Sequence, residues 1–532
     1  MNKTRVATVL FSICFIASLA SANETRKIIY SETDGAELFG FSTGLYGNQA
    51  YIGAPAGRTL PGAGFIYDVT TGTKLHKLLP SEPRDDDFFA FDGDLNDSFV
   101  IVGDPGNPSS VSSPGSVYIF DVSTGNELRR VFPSDSIVGD EFGFGTAIDG
   151  NNMVIGAPNL GERAGSAYIF DVTNGMQLHE LTSSESVVGD EFGWDVSIGG
   201  NYAVVGAPGS FEALGLVRGN AYVFDVTTGQ QMMELIPAEG TPGDEFGFSI
   251  AVDGTTAIVG APDGGVGAGS AYLFDLTTGQ QMHRLTASDS QDHNDFGSAV
   301  EIHGDIALVG AQGQAGVAGA TYVYNVKTGE ELAKLTPSDL VASDAFGTAV
   351  SVFDGVVVAS SPRDDDTGFN SGAAYVFAPG PGDFNFDKEL TARDIDLLSR
   401  QAREDFHGDF FDLNDDSLVD AEDRRIWIEE IARTYAGDAN LDGQFTSDDF
   451  IVMFAANEFE DGLVENSSWG TGDFTGDGEF TTNDLIAAFQ TGAYENGPRP
   501  AVAIVPEPSA VCLAIVGLFG MLAVQRNTRQ TC

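Results

Sequence analysis

Gly139 to Val188 reads GDEFGFGTAIDGNNMVIGAPNLGERAGSAYIFDVTNGMQLHELTSSESVV, and close variants of it tile the chain to about residue 377. Aligned on the phenylalanine of DEFG, seven copies fall at Phe39, Phe89, Phe142, Phe192, Phe246, Phe296 and Phe346, each roughly 50 residues after the last. A period of about 40 to 50 residues marks propellers and arrays. Within this copy, apolar or alternating runs at Phe142–Ile148, Met153–Ile155, Ala167–Phe170 and Leu178–Leu181 predict four short strands, one propeller blade. Asp149-Gly150-Asn151 suits a tight hairpin, and Asp171 to Gly175 (DVTNG) an Asx-type turn closed by a residue at positive φ. Apolar spacing of three and four over long runs, which a helical solenoid needs, does not occur in the repeats. The expected fold is mainly β, a seven-bladed propeller over residues 23–377, followed by small helical domains.

The FG start followed by VGAP or IGAP (Ile52–Pro55, Ile155–Pro158, Val205–Pro208, Val259–Pro262) resembles the FG-GAP repeat of integrin α-subunit propellers and their bacterial relatives. Seven copies match a seven-bladed ring. Gly103-Asp104-Pro105, Gly310-Ala311-Gln312 and Ser360-Ser361-Pro362 depart from the consensus. Many such blades carry a DxDxDG calcium loop after the first strand; here that connection is only Gly199-Gly200-Asn201 or Asp253-Gly254-Thr255, so blade calcium is not expected. The TG turns are also similar to those of quinoprotein repeats, but Leu75, Leu128, Leu178 and Met232 stand where that family docks a tryptophan.

Residues 1–22 combine Lys3 and Arg5 with an apolar run from Val6 to Leu19 and end Ala20-Ser21-Ala22, the pattern of a secretory signal cut before Asn23. Cys14 lies in that run and Cys512 and Cys532 in the C-terminal tail, so the expected mature body has no disulfide. With 26 Lys and Arg against 78 Asp and Glu, a formal charge of −52, nucleic acid is excluded as a partner and divalent cations are the natural counter-charge. Lys27 to Glu32 aligns with Lys77 to Glu82, the fourth strand of the next copy, while the seventh copy stops after three strands at Phe377. The N-terminal strand is therefore expected to complete the last blade and leave no open sheet edge.

Loops of unequal length gather on one face of such a ring and carry Arg58, Arg163, Arg218, Phe211 and Phe369, the candidate ligand contacts for an extracellular glycan or surface protein. The alternative for the arginines is pairing with acids such as Glu162 or Glu212. An acid two residues before most FG phenylalanines (Asp87, Asp140, Asp190, Asp244, Asp344) recurs too often for a catalytic group and reads as a turn cap. His76, His179 and His283 share one position on the fourth strand and read as surface residues rather than ligands.

After a linker at 378–382, four acidic twelve-residue loops follow in two pairs, 383–436 and 437–495. Oxygen ligands at positions 1, 3, 5 and 12 suit a hard cation: Asp383, Asn385, Asp387 and Asp394; Asp412, Asn414, Asp416 and Asp423; Asp438, Asn440, Asp442 and Asp449; Asp473, Thr475, Asp477 and Asp484. Amphipathic helices are expected at Ile395–Arg403, Arg424–Tyr435, Phe450–Asn457 and Leu485–Gln490. Loop then helix, with Asp at position 12, resembles the type I dockerin arrangement, which implies calcium as cofactor and a cohesin-like module as partner; a calcium-stiffened stalk is the alternative. Lys388 and Ser417 stand where glycine normally makes the sharp turn, and Thr475 at a ligand position, which implies weaker first, second and fourth sites.

After a second linker, 496–504, residues 505–532 hold Pro506-Glu507-Pro508, an apolar run at 510–524 and Arg526 and Arg529. The order resembles a PEP-CTERM sorting signal and implies exosortase-type processing of a briefly membrane-anchored protein. No HExxH pair or P-loop is present. The expectation is a non-enzymatic recognition or adhesion protein of the cell surface or matrix. The alternatives are a polysaccharide-degrading enzyme or its accessory subunit, and a structural matrix component.

Overall fold

A computed structural model describes residues 21–22, 24–29, 38–55, 62–83, 88–106, 113–135, 137–158, 164–184, 188–209, 219–240, 243–262, 267–289, 295–313, 318–403, 410–414 and 416–499. Seven antiparallel sheets form a propeller, and the first strands of successive blades meet all the way round the hub, Val350–Phe353 reaching Thr43–Tyr46. The third blade comprises Thr146–Asp149, Asn152–Ala157, Ser166–Asp171 and Met176–Leu181, paired in that order. Ser21–Ala22 adds a short parallel strand outside the sixth blade.

The FG stretch departs from the sequence expectation. The alternating pattern predicts a strand start at Phe142 to Gly145, but the stretch forms a turn with Glu141 at φ 59° and Gly143 at φ 97°, closed by Phe144 N donating to Glu141 O at 3.1 Å and tied to the second strand by Gly143 N donating to Gly156 O at 3.0 Å. The turn drops Phe142 into the core, edge-on to Tyr168 and Phe170 at 5.6 and 5.7 Å. Blades also approach through backbone here: a Cβ on Gly165 would lie 2.0 Å from the Phe192 carbonyl oxygen, so only glycine fits. Between sheets the core is aliphatic and aromatic, as in the group of Val154, Ile169, Val196, Ile198, Val205 and Tyr222. Each such fully buried side chain contributes about 1.5–3 kcal/mol.

The ring closes as the alignment of chain ends implies. Arg26–Ile29 pairs antiparallel with Ala373–Phe377, Ile28 opposite Ala374, and becomes the fourth strand of the seventh blade. Lys27 locks it, its Nζ lying 2.7, 2.8 and 2.6 Å from Asp339, Asp364 and Asp366. Burial opposes the charge on Lys27, but the three carboxylates outweigh it and raise the pKa.

Outer edges of neighbouring blades are latched. His76 Nε2 lies 3.0 Å from Ser123 O and His179 Nε2 3.0 Å from Thr227 O, each imidazole spanning to the TG turn of the next blade and lying over its glycine. Arg26 and Arg129 do the same through Nη2 to Thr70 O and Thr173 O, both 2.7 Å. The recurring histidines therefore join blades.

Beyond the ring the helices are Ala392–Arg403, Ala421–Ile426 with a π-helical continuation Trp427–Ile431, Ser447–Ala455 and Thr482–Gln490. All four begin about three residues earlier than their apolar patterns suggest. In the last three the reason is a capping box: Asp420, Thr446 and Thr481 are N-caps, and the carboxylates of Asp423, Asp449 and Asp484 at N3 accept the N-cap amides. Backbone contacts divide the chain into two compact units, Met1–Trp427 and Ile428–Cys532.

Candidate functional site

The four acidic loops share one geometry. The position-1 carboxylate turns inward onto the amides of positions 5 and 6: Asp383 onto Asp387 and Lys388 (3.1 and 3.0 Å), Asp412 onto Asp416 and Ser417 (3.3 and 2.6 Å), Asp438 onto Asp442 and Gly443 (3.1 and 2.7 Å), and Asp473 onto Asp477 and Gly478 (3.0 and 2.8 Å). Position 6 takes positive φ whatever its side chain, 66° at Lys388 and 68° at Ser417 against 83° at Gly443 and 84° at Gly478. Position 12 ties the loop shut, Asp394 accepting Phe384 N and Thr391 N at 2.9 Å each, and Asp484 accepting Thr475 N at 2.8 Å and Thr481 N at 2.9 Å.

These donors are oxygens throughout, the set a hard cation takes. Asp473, Asp477 and Asp484 come together with carboxylate oxygens within 4.8 Å of one another, so the fourth loop, with Gly478 at its turn, is the most gathered of the four loops among the described residues. Its Thr475 gives a backbone amide to Asp484. Asn385 Oδ1, Asn414 Oδ1 and Asn440 Oδ1 accept the amides of Asp387, Asp416 and Asp442 at 2.9–3.0 Å. Burial raises Asp394 to about 7 and Asp438 to about 6, with neighbouring loop acids adding to the effect. Asp383 and Asp423 also move up, chiefly through burial.

Of the candidate ligand contacts, Phe369 is described and is 83% exposed, on the loop that carries Asp364 and Asp366. Arg58, Arg163, Arg218 and Phe211 lie outside the described residues, as do Pro506, Glu507, Pro508 and the apolar run 510–524. Among the described residues no helix is long and apolar enough to cross a membrane. The recurring acid before FG is a turn cap where it can be followed: Asp140 accepts Ile137 N at 2.6 Å and Asp344 accepts Val341 N at 2.8 Å.

A second feature lies in the hub, outside the residues that the sequence pattern singles out. The hub holds a cavity of about 780 Å³, open to solvent and lined by the first strands of all seven blades. Phe41, Phe91, Phe144, Trp194 and Phe248 form an arc at one level, successive ring centroids 5.1, 4.8, 4.8 and 5.5 Å apart, and blades six and seven continue it with Ser298 and Thr348. Asp92, Asp94, Asp195 and Glu301 line the same cavity, and among the described residues no lysine or arginine lines it. Burial raises Asp92 to about 6, Asp94 and Asp195 to about 7 and Glu301 to about 8.

Their immediate role is structural. A first strand has no neighbour on its hub side, so its amides need acceptors. Asp92 accepts Thr146 N at 2.6 Å, Asp94 accepts Ile148 N at 3.0 Å and Asp195 accepts Ile250 N at 2.6 Å, each reaching to the next blade. Ser197 and Ser249 do the same for Val252 N and Val300 N, both at 3.0 Å. The sequence signal was available: polar residues three and five positions after the FG phenylalanine, on strands otherwise apolar.

The FG-GAP repeat family matches residues 126–170, 176–224, 230–274, 280–324 and 330–377. The chain thus carries FG-GAP repeats, in a seven-bladed β-propeller. No match to a curated protein was found.

Proposed function

We propose that the chain is an exported, surface- or matrix-associated calcium-binding recognition protein whose propeller holds an extracellular glycan or a surface protein. The observation that carries this reading is the closed ring: FG-GAP blades locked by the N-terminal strand present unequal loops on a rigid frame, with Phe369 83% exposed on one of them. The signal-like N-terminus and the Pro506-Glu507-Pro508 tail support export and sorting by exosortase-type machinery. Oxygen donors gathered in the four loops support calcium as cofactor, Asp473, Asp477 and Asp484 most directly. The loop–helix segments then either dock a cohesin-like module or stiffen a stalk.

A screen of the full chain against extracellular polysaccharides and matrix proteins, with analysis of the recovered glycan, tests the reading. Saturable binding that weakens with Phe369→Ala, and recovery of intact glycan, is the expected outcome; no binding to any of them leaves a structural matrix component. A polysaccharide-degrading enzyme is favoured by one observation, carboxyls with raised pKa in a cavity. Those groups accept backbone amides, which gives them a structural reason to be there, and cleavage products lost in Glu301→Gln would reverse the preference.

A further inference from the structure

The seam of the ring is held from outside by the described residues of the segment 383–427, which belong to the same compact unit as the propeller. Three contacts define the hold. Lys388, at position 6 of the first acidic loop, extends its Nζ to the carbonyl oxygen of Glu24, 3.1 Å away and two residues ahead of the closing strand Arg26–Ile29. The helix Ala392–Arg403 lies on the fourth strand of the sixth blade, with Arg393 Nη2 donating to Leu332 O at 3.2 Å and Arg400 paired with Glu330. Phe410 covers the hairpin of the seventh blade, where a Cβ on Gly355 would come within 2.6 Å of its ring.

The repeat itself supplies the control. Leu332 is 1% exposed, whereas residues at the same position of other blades, Leu75, Leu128, Leu178, Met232 and Met282, are 39–46% exposed. The sixth blade is thus covered where its sisters are bare, by Ser21–Ala22 along its outer edge as well as by the helix. Lys388 makes the same point from the loop side. A lysine at φ 66° is strained where glycine would be at ease, and here its side chain is what reaches the chain leading into the closing strand. Around it the seam is tied further, Ala378 N donating to Thr25 Oγ1 at 3.0 Å and Ser338 N to Glu24 Oε2 at 3.1 Å.

We propose that the first acidic loop and its helix are a clasp on the ring seam, so that cation occupancy of Asp383–Asp394 sets how readily Arg26–Ile29 leaves the seventh sheet. The coupling runs through one residue: the Lys388 amide is fixed by Asp383 Oδ2 at 3.0 Å within the loop, while its ammonium holds Glu24. Ordering the loop orders the ammonium. The cation half of the proposal rests on the calcium reading above; the clasp half does not.

Hydrogen exchange of the full chain, read at residues 24–29 and 373–377 with calcium or chelator, tests both halves. Chelation is expected to speed exchange there on the order of tenfold. Asp383→Asn with Asp387→Asn should reproduce that in calcium, and Asp438→Asn with Asp442→Asn should not. Lys388→Gly relieves the strained φ and removes the ammonium, so it should bind calcium at least as well as the parent yet exchange faster at 24–29. Unchanged exchange in Lys388→Gly overturns the clasp. Bound calcium, counted by equilibrium dialysis, with no protection at the seam overturns the coupling, and no bound calcium overturns the calcium reading while Lys388→Gly still decides the clasp.

Discussion

The hub and the acidic loops both use carboxylates to satisfy backbone amides, and they differ in how closely those carboxylates stand. In the hub Asp92, Asp94 and Asp195 are spread along strand edges, each accepting an amide of the next blade, within a ring whose cohesion comes from aliphatic and aromatic burial. In the loops three or more acids share twelve residues, and in the fourth loop Asp473, Asp477 and Asp484 come within 4.8 Å of one another. The hub can shed a charge by binding a proton and keep its core. The loop segments pack aromatic residues of their own, such as Phe445, Trp469, Phe474 and Phe480, but their carboxylates stand so close that the charge must be met by a cation or by protons.

The sharpest break of this comparison is at the seam. Deleting residues 23–34 removes a whole strand, and with it Ile28, 3% exposed. The loss should be several kcal/mol, since each buried aliphatic contributes about 1.5–3 kcal/mol. Denaturant unfolding should show a lower midpoint for the propeller, and an unchanged cooperative transition would mean that the ring stands without its closing strand.

Next in size is calcium removal, which should separate the two regions within one molecule. Chelator is expected to speed exchange through the helices Ser447–Ala455 and Thr482–Gln490 while the strand Ser166–Asp171 keeps its protection. Asp473→Ala should resemble chelation in the last helix, because that carboxylate accepts the amides of Gly476, Asp477 and Gly478. Equal exchange of helices and strand in chelator would place the loops on the same footing as the hub.

The third expectation concerns pH. A carboxyl whose folded pKa is raised keeps its proton longer in the fold than in the unfolded chain, so the folded state binds more protons and loses stability as pH rises. For Asp92, Asp94, Asp195 and Glu301 the window runs from their ordinary values of 3.8 and 4.5 up to about 6 to 8. The propeller's Tm should fall across that window at constant calcium, and Asp94→Asn with Asp195→Asn should flatten the slope.

The smallest effect lies at the blade latches. Gly229 has φ 68° and faces His179, whose ring carbon would sit 2.6 Å from an added Cβ. Gly229→Ala should cost about 1–3 kcal/mol through backbone strain and displacement of the imidazole, read as a modest drop in Tm that Gly229→Ala with His179→Ala partly recovers.

Period, turn chemistry and ligand spacing are local properties, and they determined a good deal. Seven copies of one strand-rich unit settle a seven-bladed ring, because each unit can bury its faces only against the next. The missing fourth strand of the last copy marked Arg26–Ile29 as its completion, and oxygen residues at positions 1, 3, 5 and 12 marked the four loops. The tertiary structure alone decided which residues meet across blades and across hundreds of positions. Asp92 and Asp195 look like isolated acids until the next blade brings an amide to each; His76 and His179 look like surface residues until a glycine turn arrives beneath the ring. Lys388 reads as a defect in its loop until the fold carries Glu24 to its side chain, 364 residues away along the chain. Spacing within a segment is written in the order of residues, but the acceptor that gives a buried or strained polar group its reason is supplied by whatever the closed ring places opposite it.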